Sequence, residues 1–107
     1  MKKLTNKRLQ IEMDRGIDID NVVVNIINPF KWKVNIFVND QRYIFTIHIP
    51  KKYPFVSPRV TVYPITPIDH PDIWGNTVTL HILFDGWSPV VTLERIILDL
   101  LNIVKNI

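Results

Sequence analysis

The sequence predicts an α+β fold, with an N-terminal helix, a four-stranded antiparallel meander sheet, a long ordered loop and a C-terminal helix packed on the sheet. Two observations carry the prediction. Apolar residues recur at helical spacing only near the two ends of the chain, and between residues 21 and 63 they alternate or run in β-branched blocks. A third observation sets the scale: 107 residues, 47% of them hydrophobic, suffice for one packed core and one domain, 1–107.

In residues 3–15, Leu9 and Met13 stand four apart among charged neighbours, and Gly16 follows as a helix stop. "NVVVNII" (21–27) is β-branched with no helical spacing and reads as a strand. After Asn28-Pro29, "FKWKVNIFV" (30–38) alternates Phe30, Trp32, Val34 and Ile36 with polar residues, which makes it a second strand with Trp32 in the core. Asn39-Asp40 is a tight-turn pair, and "QRYIFTIHI" (41–49) resumes the alternation, so a hairpin is expected. The proline-rich segment that follows leaves "RVTVY" (59–63) as a short edge strand.

From Ile65 to Pro89 no period survives, and a long ordered loop is expected there. Trp74 and Trp87 sit in it, and Trp87 reads as a pin holding the loop to the core. The last segment opens with Thr92 as N-cap and Glu94 in the first turn. It then repeats apolar groups at Leu93, Ile96, Ile97, Leu100, Leu101 and Val104.

Composition excludes several functions. The chain has no cysteine, hence no disulfide, zinc–thiolate site or thiolate nucleophile. No apolar run approaches a membrane span, and the N-terminus lacks a signal h-region, so a soluble protein of cytoplasm or nucleus is expected. The usage of Ile, Asn and Lys suggests an AT-rich genome such as a large virus, with a host cytoplasm as the setting, or a protist. The net charge of +3 clusters at Lys2, Lys3, Lys7 and Arg8, without the aromatic or groove-reading motifs of a nucleic-acid binder, and no nucleic acid is expected.

The loop's polar residues make weak chemistry alone. Asp69, His70, Asp72 and His81 match no compact ligand spacing, so no metal or cofactor is expected. A nucleophile at Thr79 needs a positioned base and an oxyanion site, and on the loop residues alone that reading is weak. Ser88, before Pro89, reads as a turn residue or part of a binding surface.

"YPFVSPRV" (53–60), "HPDI" (70–73), "VTLHIL" (78–83) and "WSP" (87–89), in this order and separation, resemble the ubiquitin-conjugating enzyme family. Upstream, "KRLQIEM", "NPFKWKVNIFV" and "YIFTIHIP" resemble that family's first helix, second strand and third strand. The resemblance places the catalytic cysteine's position on Thr79 and implies a catalytically silent variant. An unactivated alcohol supplies almost no alkoxide where a thiol supplies thiolate. The family's His-Pro-Asn becomes His70-Pro71-Asp72, and an ionised carboxylate cannot donate to a developing oxyanion. The connection at Asn39-Asp40 is shortened and the family's last helices are missing after residue 106, so a reduced, truncated domain is expected.

The resemblance also implies a ligase-binding surface at Phe55, Ser88 and Pro89, with basic residues of the first helix, Lys3, Lys7 and Arg8, beside it. The expected function is a non-catalytic module that binds ubiquitin ligases of RING or HECT type, or the activating enzyme, in competition with active conjugating enzymes. Two alternatives remain open. One is a variant that partners an active conjugating enzyme or holds ubiquitin noncovalently. The other is an active enzyme whose cysteine was replaced.

Overall fold

The computed structural model describes residues 6–63 and 68–107. Helix α1 (Lys7–Arg15) begins where the Asn6 side chain accepts from the Leu9 amide at 2.9 Å, and ends at Gly16, whose φ of +71° suits a residue without a Cβ. The part of the expected helix at residues 3–5 lies outside the described residues. Strands β1 (Val22–Asn28), β2 (Lys31–Val38) and β3 (Gln41–His48) form an antiparallel meander. Its second hairpin turns at Asn39 and Asp40, both with positive φ, the backbone that a two-residue hairpin loop requires.

The sheet differs from the expectation in its far half. Strand β4 (Arg59–Val62) is not an edge strand, because a small hairpin of β5 (Ile73–Trp74) and β6 (Thr77–Val78) pairs onto it. Among the described residues the sheet therefore has six strands, in the order β1-β2-β3-β4-β6-β5. Two-residue strands are too short to show alternation. The signal present was Gly75-Asn76, a hairpin dipeptide between β-forming residues, with Gly75 at φ +60°. A 3-10 turn (His81–Leu83) follows, and helix α2 (Leu93–Lys105) closes the fold. Thr92 caps it, its hydroxyl accepting from the Arg95 amide at 3.1 Å.

Trp32, Val34 and Ile36 on β2, with Phe45 and Ile47 on β3, point to the inner face of the sheet and are buried. Ile96, Ile97, Leu100 and Leu101 of α2 and Leu9 of α1 cover them. The expected core residues of α2 are all buried. Among the described residues, no helix is long and apolar enough to cross a membrane.

Candidate functional site

The connection after β3 folds tightly over the core. Tyr53 and Pro54, joined by a cis peptide bond, are buried, whereas the next side chain, Phe55, is 78% exposed. Trp87 holds this turn from the side: its indole N–H donates to the Pro54 carbonyl at 3.0 Å, and its ring lies 6.1 Å from that of Tyr53. Trp87 is thus the loop pin its position suggested. Ser57 donates to the Leu83 carbonyl at 2.7 Å, tying the same connection to the 3-10 turn.

Beneath these loops lies a buried carboxylate. Glu12, on the apolar side of α1, accepts from the Tyr53 hydroxyl at 2.5 Å, the Arg8 guanidinium at 3.0 Å and the Leu93 amide at 2.7 Å. The last contact places a negative group on the first turn of α2, where its orphan amides and dipole favour one. Arg8 continues the network, donating to the carbonyls of Pro89 at 2.7 Å and Val91 at 3.0 Å, with its charge 5.8 Å from the centre of the Tyr53 ring. Asn6 adds a bond to the Tyr53 carbonyl at 2.6 Å. Burial, then the hydrogen bond to Glu12 and its charge, push the Tyr53 phenol well above its ordinary range, with Arg8 acting against them.

These braces set Phe55 and the Ser88-Pro89 turn on adjoining loops. Ser88 accepts the Val91 amide through its carbonyl, and Pro89 and Val90 project outward. A groove of about 530 Å³ runs beside Phe55, lined by Lys7, Arg8, Lys51 and Lys52 among others. The structure therefore brings together Phe55, Ser88, Pro89, Lys7 and Arg8. Arg8 is engaged with loop carbonyls, and Lys3 lies outside the described residues.

Thr79 is half-buried at the exit of β6, and its amide donates to the Asp72 carbonyl at 2.6 Å. The Asp72 amide in turn donates to His70 Nδ1 at 3.0 Å, and the Asp72 carboxylate lies 3.9 Å from that nitrogen. His70, Asp72 and Thr79 thus adjoin one another through turn hydrogen bonds. A cleft of about 220 Å³ opens between His70, Asp72 and the end of α2 at Asn102 and Asn106. The segment after Thr79 is not extended, because His81 starts the 3-10 turn. The His81 ring lies so close to Gly86 that a Cβ there would stand 2.6 Å from it. Among the described residues no base reaches the Thr79 hydroxyl, and no group of His, Asp and Glu side chains is placed to hold a metal ion.

A family model described as ubiquitin-conjugating enzyme matches residues 3–107, nearly the whole chain. The chain belongs to the ubiquitin-conjugating enzyme family. Among solved structures, human ubiquitin-conjugating enzyme E2 G1 superposes with a TM-score of 0.75 at 23% identity, over 94% of this chain and 92% of that one. A ubiquitin-conjugating enzyme E2 from Plasmodium falciparum gives 0.82 at 20% identity, over 95% of this chain and 99% of that one. At such identities the likeness is one of fold. The α+β architecture is thus that of the ubiquitin-conjugating fold, in a chain with no cysteine.

Sequence reading missed the Glu12 network. Its signal was a carboxylate on the Leu9–Met13 face of an amphipathic helix, where an apolar residue would ordinarily stand.

Proposed function

We propose that this member of the ubiquitin-conjugating family is not an enzyme, and that it binds ubiquitin ligases, or the activating enzyme, in competition with active conjugating enzymes. The observation that carries the reading is Phe55, 78% exposed next to Tyr53 and Pro54, which are buried and whose carbonyls are braced. A rigid loop with one bare aromatic, next to the projecting Pro89 and Val90, is the form of an interface anchor, since little entropy is lost on docking. The same fold offers no thiol, and among the described residues no base reaches Thr79, whose amide is bonded to the Asp72 carbonyl, which supports a role without covalent ubiquitin.

The test is a titration of isotope-labelled protein with a RING ligase domain, read at the amides around Phe55 and Ser88. Localised shifts are expected, and Phe55→Ala should weaken binding by about 30-fold or more, as losing an anchor worth about 2 kcal/mol does. Its unfolding free energy should stay within about 0.5 kcal/mol of the parent, because most of the ring is already exposed to solvent. Unchanged affinity in that variant, or no shifts at saturating ligase, overturns the proposal.

A further inference from the structure

The pairing registers settle which residues share the outer face of the sheet, the face away from the helices. Reading across, Trp74 pairs with Thr77, Thr77 with Thr61, Thr61 with Thr46, Thr46 with Lys33 and Lys33 with Asn25. Directly opposite residues of antiparallel strands point the same way, so these six side chains form one row over all six strands. The row on one side holds Arg59, His48 and Lys31. On the other side stand Tyr63, which donates its amide to Ile44, and Phe37, which pairs with Arg42.

Two properties set this face apart. None of its strand positions is Asp or Glu, although the chain has ten acidic residues. Three large rings on it face solvent: Trp74 is 76% exposed, Tyr63 51% and Phe37 44%. His48 senses the charge imbalance. Partial burial, then the cations of Arg59 and Lys31, hold its pKa below the usual histidine value, and the Thr61 hydroxyl lies 3.2 Å from its Nε2.

We propose that the outer face of the sheet binds single-stranded nucleic acid, with Lys31, Lys33 and Arg59 on phosphates and Trp74 and Tyr63 stacking on bases. A broad sheet face cannot enter a duplex groove, but exposed rings between cations suit unpaired bases on a charged backbone. The Thr and Asn side chains of the middle row offer hydrogen bonds to base edges or sugar hydroxyls. An acidic protein would meet the cations and leave the rings unused. Lys7 and Arg8, on α1, lie off this surface. Its cations are spread over residues 31–59 and meet only through strand register.

The test is fluorescence anisotropy with a labelled oligouridylate of about 12 nucleotides, within the range one small domain covers. Contact with about three phosphates predicts a log–log salt slope of about −2, or roughly 20-fold weaker binding between about 50 and 200 mM salt. Trp74→Ala should weaken binding about 10-fold, as loss of one stacked base does. The Lys31→Glu/Lys33→Glu double variant should abolish it at the higher salt. Phe55→Ala, off the sheet face, should bind as the parent does, which separates this proposal from the ligase reading. Absence of saturable binding at low salt overturns the proposal. So does affinity that survives both sheet variants, or equal competition by polyglutamate, which would assign the face to an acidic protein.

Discussion

The turn that presents Phe55 and the turn that presents Thr79 are built on opposite plans. Beneath Phe55, one buried carboxylate joins α1, the Tyr53-Pro54 turn, the Trp87-Ser88-Pro89 turn and the start of α2. Around Thr79 the polar contacts are local, running through backbone amides of the His70–Asp72 turn, and among the described residues no side chain holds the hydroxyl. Reaction chemistry needs a nucleophile and a base held in register, whereas docking needs a rigid surface. Among the described residues the long-range side-chain contacts are concentrated under the Phe55 turn, the surface proposed for docking, where a rigid shape has a use without catalysis.

The largest test of this contrast is Glu12→Ala. It leaves the Arg8 charge, the Tyr53 hydroxyl and the Leu93 amide without their shared partner, and should lower unfolding free energy by about 3–5 kcal/mol. Glu12→Gln keeps an acceptor and should cost roughly half as much. Urea denaturation measures both. A loss under about 1 kcal/mol in the alanine variant would mean that hydrophobic contacts of Trp87 and Tyr53 hold the loops without the brace.

The second test rebuilds the weaker region. Thr79→Cys supplies a thiol, but Asp72 remains where the resemblance to the family implies an oxyanion donor. Adding Asp72→Asn to Thr79→Cys should raise ubiquitin transfer from the charged protein by about 100-fold, as restoring one such donor does. Intact mass and single-turnover discharge after loading with activating enzyme, ATP and ubiquitin give the comparison. Equal rates in the two variants would show that Asp72 is not what separates this site from a working one.

Legibility in the sequence followed the range of the interactions. Thr92, Gly16 and Asn39-Asp40 act within a few residues, and each does locally what its type and position suggested. The β5–β6 hairpin is hidden in the sequence because two residues per strand carry no period, and without it β4 reads as an edge. The residues of the Phe55 surface were legible only through resemblance to a family, since the distance between Phe55 and Pro89 along the chain says nothing of the Arg8 bridge. The outer-face row was illegible for a related reason: Trp74 and Lys33 are set in line by four intervening registers.

Tyr53→Phe probes the brace more gently. It removes one hydrogen bond to a charged group and should cost about 1.5–3 kcal/mol. It should also change the alkaline limb of stability. The folded state holds the phenol's proton above the ordinary pKa near 10, so the unfolded chain loses its proton first as pH rises. Stability is therefore full below about pH 10 and falls above it in the parent. The phenylalanine variant should show a flatter alkaline limb in urea midpoints, and an unchanged limb would place the alkaline sensitivity elsewhere.

The smallest effect belongs to the far face of the sheet and has the opposite sign. His48 is held below its ordinary pKa of 6.5 by partial burial and by Arg59 and Lys31, so the folded state resists its protonation while the unfolded chain does not. Its contribution is intact above about pH 6.5 and declines as pH falls below that value. His48→Gln keeps a partner for Thr61 and should flatten the curve on the acid side alone. Bound polyanion supplies the charge that the neighbouring cations lack and should raise the His48 pKa in the parent, observed as a displaced imidazole titration by NMR. If oligouridylate bound elsewhere, that titration would stay in place, and the two faces of the molecule would be told apart by one histidine.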